Sequence, residues 1–155
     1  MSDLISADDA KQLISGFATK SVRDQVMNIQ AWMAEQPQVD VPIEHWFAHG
    51  LYVRQMRMPA GQAFVGKIHK SEHIVIIAQG CITLLTDEGV VKLQAPATFV
   101  SKPGAKRVGF VHEDLVMLNV HHSFETDMEK LEQELIAPDF AELDSYLELL
   151  KLKEK

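Results

Sequence analysis

The stretch GKIHKSEHIVIIAQG, from Gly66 to Gly80, sets two imidazoles four residues apart, His69 and His73, ahead of an uncharged run. Neutral imidazole is the commonest side-chain metal ligand. On a helix, residues at this spacing would meet over one ion. On a flat strand they share a face but lie about 13 Å apart, too far for bonds of about 2.0–2.1 Å to a common metal. The β-branched run after His73 argues for a strand. Spacing alone therefore leaves two readings: a site closed by a bend or bulge at Lys70-Ser71, or ordinary strand histidines.

A second pair, His121-His122, ends the run LVMLNVHH. Adjacent strand residues face opposite ways, so only one of the two points inward. His121 shares its face with Asn119 and is the polar-lined, inward candidate; the other reading leaves both on the surface. Lys67 and Arg107 would suit a carboxylate, phosphate or sugar acid if both face an interior; otherwise such side chains snorkel to water. His45, Trp46 and His49 read as packing residues, the other reading being an edge of the same pocket; Cys81 reads as a small core residue, and His112-Glu113-Asp114 as a loop. No Ser-His-Asp context, phosphate-cradling glycine loop or CxxC pair occurs in the sequence.

Three zones must position these residues. Residues 1 to about 47 read as helical. Ser6 precedes acidic residues as an N-cap would, and Ser21 with Asp24 marks a second start. Val22, Val26, Ile29 and Met33 fall on one face of a helix ending near Glu35, and Pro37 and Pro42 break the pattern beyond it. From about 50 to 124 the period changes. Short β-rich runs (LYVRQMRM, HIVIIAQ, CITLL, VVKL, ATFV, RVGFV, LVMLNVHH) alternate with Gly/Pro punctuation, which predicts an antiparallel sandwich or barrel. Gly89 in TDEG is available for a turn at positive φ. From Thr126 helices return. TDME has the capping-box form, Pro138 stops that helix, and Asp139 caps a last one carrying Phe140, Leu143, Leu147 and Leu150.

The 155-residue chain has room for one domain with a real core, and 46% hydrophobic with 24% charged residues is globular composition. A net charge of −7 disfavours nucleic acid; the cluster Lys102, Lys106, Arg107 reads as a solvated loop. No apolar run approaches the roughly 18–20 residues of a membrane span, and the N-terminus lacks the features of a secretory signal. The single cysteine excludes an intrachain disulfide and suits a reducing, cytoplasmic setting.

From Gly61 to Gly80 the sequence resembles the first motif of the cupins: glycine, five residues, His-x-His, three or four residues, Glu, six residues, glycine. Gly61 and Gly80 match, and His69 takes the second histidine position. Lys67 stands at the first histidine and His73 at the glutamate. The second motif, P-x-G-x-x-H-x3-N, is less well kept: after Pro103-Gly104, Arg107 takes the histidine position and Val111 that of the asparagine. The resemblance spans about residues 50 to 124. More loosely, KPGAKR, HED and VHH followed by an acidic helix are similar to small cupin-like proteins of tailed bacteriophages.

This resemblance implies a mainly β fold, a cupin-like double-stranded β-helix barrel flanked by N- and C-terminal α-helices. One domain then covers 1–155, with a helical segment to 47, a barrel over 50–124 and helices over 126–155. Lys67 and Arg107 are cationic near neutral pH and poor ligands, so the family's four-ligand set is not kept. His69, His73 and His121 instead offer an open three-histidine site for a divalent metal (Zn, Fe, Mn or Ni). Metal affinity is expected to fall as pH drops through the histidine range, near 6.5 when unperturbed. Without a metal, Lys67 and Arg107 give an anion pocket. Two function classes emerge. One is a small metalloenzyme acting on a small polar or anionic molecule. The other is a non-catalytic structural or interaction cupin with a vestigial site, phage-related if the looser likeness holds. Its place is then the cytoplasm, or host cytoplasm or virion if phage-encoded. The apolar stripe of the last helix adds an expected homo-oligomer.

Overall fold

The computed structural model describes residues 21–86 and 89–154. The expected helix start at Ser6 lies outside them. Helix α1 spans Val22–Ala34. Among the described residues nine strands come after it: β1 Ile43–Ala48, β2 Leu51–Met58, β3 Ala63–Val65, β4 Ile68–His69, β5 His73–Thr86, β6 Gly89–Gln94, β7 Ala97–Ser101, β8 Val108–His122 and, after helix α2 (Met128–Leu135), β9 Ile136–Ala137. Helix α3, Phe140–Lys153, ends the fold. The structure is mainly antiparallel sheet with flanking helices, as the sequence predicts. Among the described residues no helix is long and apolar enough to cross a membrane.

Two long strands, β5 and β8, form the spine. Their pairing runs from Ile74↔Val120 to Leu85↔Val108, with register shifts between Ile77 and Ile82. On one side of that irregularity the spine carries β2 and β7; on the other it carries β3 and β6. The two halves fold over one core of Met56, Met58, Val75, Ile77, Ile82, Leu84, Val111, Leu115 and Met117. Alternation along each strand supplies these residues: Met56 and Met58 on β2, Val75 and Ile77 on β5, Leu115 and Met117 on β8.

Gly80 sits at the irregularity with φ +91°, and a Cβ there would overlap the Asp114 carbonyl oxygen and lie 2.6 Å from that of Glu113. No side chain fits between these strands. The stretch His112-Glu113-Asp114 is therefore not the loop expected from its charge. It is continuous β8, bent opposite Gly80. Its charged side chains face outward or partner the bend: Asp114 Oδ1 accepts from the Ala60 amide at 2.9 Å.

The helices cover what the sheet leaves open. The α1 face of Val22, Val26, Ile29 and Met33 packs on Leu85, Val108 and Val65, and Ser21 Oγ accepts from the Asp24 amide at 3.2 Å, as an N-cap should. The helical zone does not run to residue 47. After Pro37 and Pro42 the chain enters β1, which pairs with β2 through a two-residue turn at His49-Gly50. The cap of α2 is Asp127 rather than Thr126, with Oδ1 accepting from the Lys130 amide at 3.0 Å. Asp139 caps α3 as expected, accepting from the Glu142 amide at 2.7 Å. The α3 stripe is largely used within the chain. Leu143 is fully buried with Ile68 and Ala137, and Phe140 and Leu147 pack beside them, while Leu150 stays exposed.

Gly80→Ala should cost more than about 3 kcal/mol in chemical denaturation, because strain and a backbone clash add. Gly89 also has positive φ, +107°, but a Cβ there would meet no atom within 4 Å. Gly89→Ala should cost only the conformational strain, about 1–2 kcal/mol. Equal losses for the two variants would contradict the close approach at the bend.

Candidate metal centre

The geometry that a flat strand forbids is reached by ending the strand. His69 closes β4, the chain bends through Lys70–Glu72, and His73 opens β5. The bend falls where the sequence places it. The imidazole centroids of His69 and His73 are 4.4 Å apart, those of His73 and His121 are 4.4 Å apart, and those of His69 and His121 are 5.3 Å apart. One ligand nitrogen from each ring lies within 4.8 Å of the others. Bonds of about 2.1 Å to one ion allow at most about 4.2 Å between two nitrogens, so small ring rotations close the remainder. His121, not His122, faces inward, because its neighbours Asn119 and Met117 line the interior face of β8. His122 lies outside, against Phe124.

Each ring is held by a different element. His73 Nδ1 donates to the Ser71 carbonyl at 3.3 Å, which leaves Nε2 as its lone-pair nitrogen. His121 stacks on Tyr52, its cross-strand neighbour on β2, at 5.8 Å. His69 belongs to neither spine strand. Its two-residue β4 pairs with β9 at Ile68↔Ala137 and His69↔Ile136. The Lys70 amide donates to the Leu135 carbonyl at 2.8 Å, and the His69 carbonyl accepts from the Gly104 amide at 2.8 Å.

Burial is the main electrostatic fact of the site. It lowers His69 to a pKa of about 2, with the neighbouring His73 and His121 adding to the effect. It lowers His121 to about 4, helped by His73 and Arg54. His73 is also lowered, first by burial, against the opposing hydrogen bond to Ser71. All three rings are thus neutral at pH 7, the form that binds a metal. Loss of that form is displaced below the pH of about 6.5 expected for free imidazole. Nδ1 of His121 is buried without a hydrogen-bond partner among the described residues, a cost of about 1–3 kcal/mol that a ligand at this atom would offset. Convergent neutral nitrogens and an orphaned buried lone-pair position fit a divalent ion.

The cationic pair expected to line an anion pocket is divided. Lys67 Nζ donates to Glu132 Oε1 of α2 at the surface. Arg107 Nη1 donates to Ser101 Oγ at 2.7 Å, with its guanidinium over Phe99. A cavity of about 250 Å³ opens beside His69 and His121, walled by His45, Tyr52, Arg54, Lys67, Glu132 and apolar residues of β1, α2 and β9. Arg107 does not border it. Two of its polar residues, Arg54 and Glu132, are not among those expected from the sequence. Arg54 shares the inward face of β2 with Tyr52 and Met56, a signal that alternation along LYVRQMRM carries. His45 Nδ1 and the Tyr52 hydroxyl hydrogen-bond at 2.8 Å, so His45 belongs to the cavity rather than to helix packing. Glu132 comes from the C-terminal helix, and no local pattern points to it.

An antiparallel barrel bent at Gly80, with the Gly61-to-Gly80 frame directing two histidines into one end, matches what the motif implies. The arrangement is a cupin-like antiparallel barrel. No family model matches the chain, and no curated protein matches it. Among solved structures, it is similar to an RmlC-like cupin family protein with a double-stranded β-helix fold from Methanocaldococcus jannaschii, at 15% identity over 63% of this chain and 91% of that one, TM-score 0.47. A cupin superfamily protein from Desulfitobacterium hafniense overlaps at 12% identity, 59% and 85% coverage and TM-score 0.47. A cupin-2 domain containing protein from Shewanella frigidimarina overlaps at 9% identity, 62% and 92% coverage and TM-score 0.44. These likenesses concern the arrangement of strands and carry nothing about ligands or reactions.

The depressed histidines tie the metal-free protein's stability to pH. Their folded pKa values lie below the unfolded value of about 6.5, so between the two the unfolded chain binds more protons. The stabilisation is full above pH 6.5 and is lost as pH falls toward the folded values. For His121, buried at 3% exposure, the loss between pH 7 and 5 should be about 1–2 kcal/mol. Urea unfolding of chelator-treated protein should show this slope, and His121→Gln should flatten it. An unchanged slope in that variant would mean that His121 titrates normally.

Proposed function

We propose that this cupin-fold protein binds a divalent metal ion on His69, His73 and His121, with the open side of the ion facing the adjoining cavity, where a small polar molecule is held. The observation that carries the reading is the convergence of three neutral imidazoles, two buried and one partly buried, from three separate strands on one point. Nitrogen ligands of this kind favour zinc, iron or nickel, and also accept manganese, over calcium or magnesium. A bound divalent ion would supply a Lewis acid that polarises a carbonyl or lowers the pKa of a bound water.

The chain's own residues do the rest. Tyr52 stacks on His121 and fixes its ring plane. The Ser71 carbonyl orients His73. The Lys67–Glu132 ion pair spans from the start of β4 to α2 at the cavity edge. Both partners are half-exposed, so the pair contributes little to stability; its position limits access to the site.

Elemental analysis of protein purified without chelators should find about one divalent ion per chain, the stoichiometry of a single three-histidine site. His69→Ala and His73→Ala should each lose most of it, because two imidazoles rarely retain a metal against buffer, whereas Lys67→Ala should keep it. Wild-type protein that carries no metal and takes up none on titration would make the site vestigial and end this reading.

A further inference from the structure

The cavity beside the histidines carries a positive charge whose hydrogen-bond capacity the described residues do not use. Arg54 lies on the inward face of β2, opposite Asn119 of β8 and His45 of β1. It is partly buried and borders the cavity together with His69 and His121. Guanidinium groups inside folds are ordinarily held by carboxylates, because removing a charge from water is costly without compensation. Among the described residues the Arg54 guanidinium has no hydrogen bond and no ion pair. Among those residues Glu132 is also the only carboxylate lining the cavity, and it feels Arg54 only as a secondary influence, after the hydrogen bond and charge of Lys67. Lys67 and Glu132 offset each other, so the cavity keeps the charge of Arg54. A divalent ion on the histidines would add to it.

We propose that this cavity binds a small carboxylic acid, with Arg54 as its anchor. The inference deepens the proposed function, since the open side of the metal site faces the same space, but it stands on Arg54 and the cavity walls. A planar guanidinium presents parallel N–H donors that match the two oxygens of a carboxylate. Phosphate would call for several further donors; Lys67 is engaged by Glu132, the first turn of α2 is capped by Asp127, and the Tyr52–His45 pair leaves one. Ile43, Leu131, Leu135 and Ile136 furnish an apolar wall for the acid's carbon skeleton. The Tyr52–His45 pair offers a polar group at one side. At about 250 Å³ the cavity lies below the roughly 300–1,000 Å³ of typical drug-sized sites, which suits a metabolite of a few carbons. The acid's carboxylate on Arg54 would place the rest of the molecule toward His69 and His121.

Calorimetric titration with acetate, malonate and succinate, against succinamide and inorganic phosphate, tests the assignment. It is done on zinc-loaded and on chelator-treated wild-type protein, Arg54→Met and Arg54→Lys. At least one acid should bind wild type. Affinity should fall at least about tenfold in Arg54→Met, the scale of a lost charge-assisted hydrogen bond. Arg54→Lys should recover only part of it, and succinamide should not bind. The Arg54 Nε–H resonance of wild type should move on titration, a readout that does not depend on any variant folding. Acid binding that persists in Arg54→Met, stronger binding of phosphate, or no acid binding at all would overturn the proposal. Zinc bound without Arg54-dependent acid binding would sink this inference and leave the metal site. Arg54-dependent acid binding without any zinc uptake would do the reverse.

Discussion

The structure turns on one close approach, the packing of Gly80 against the backbone carbonyls of Glu113 and Asp114. There β5 and β8 stay paired through a bend that any side chain would block. Without the bend, two strands of 14 and 15 residues would make one long, flat ribbon. With it, the sheet doubles on itself and the inward residues of both halves share a core. Antiparallel pairing at Ile74↔Val120 sets the start of β5 and the end of β8 side by side at one end of the barrel. His73 and His121 occupy those two positions.

Burial then decides what the histidines are. An imidazole in water is partly protonated near neutral pH; three of them stacked out of water hold one another neutral. Desolvation is the largest contribution for each, and repulsion from the neighbouring imidazoles adds to it at His69 and His121. A cluster of this kind is costly for a fold to keep when nothing occupies it. Its cost shows in the unpartnered Nδ1 of His121. The neighbouring Arg54 raises that cost, since a fixed positive charge further opposes protonation of His69 and His121.

The C-terminal segment is part of the site rather than an appendage. β9 pairs with β4 and so sets where His69 points. Leu131 and Leu135 of α2 pack on Tyr52, which stacks on His121. Leu143 of α3 fills the space over Ile68 and Ala137. Loss of the last helices would therefore release one of three imidazoles and open the cavity wall, even though the spine strands would retain their core.

The class of fold and the identity of the inward histidines were legible in the linear sequence. The change of period near residue 50, the glycine frame from Gly61 to Gly80, the helix faces of α1 and α3, and the choice of His121 over His122 all rest on local alternation and turn chemistry. These are properties of neighbouring residues, so a linear reading reaches them. It missed β1, because two prolines hide a short edge strand, and it took the charged His112–Asp114 for a loop, because charge on an outward face looks like exposure. Long-range packing was needed to settle that Lys67 pairs with Glu132, that Arg107 turns to Ser101, and that Arg54 shares a cavity with His69 and His121. Each of these depends on which distant segments meet, above all on β9 returning to β4 after the barrel is complete. No periodicity within one strand or helix encodes that meeting; it is set by how the whole chain buries its apolar surface.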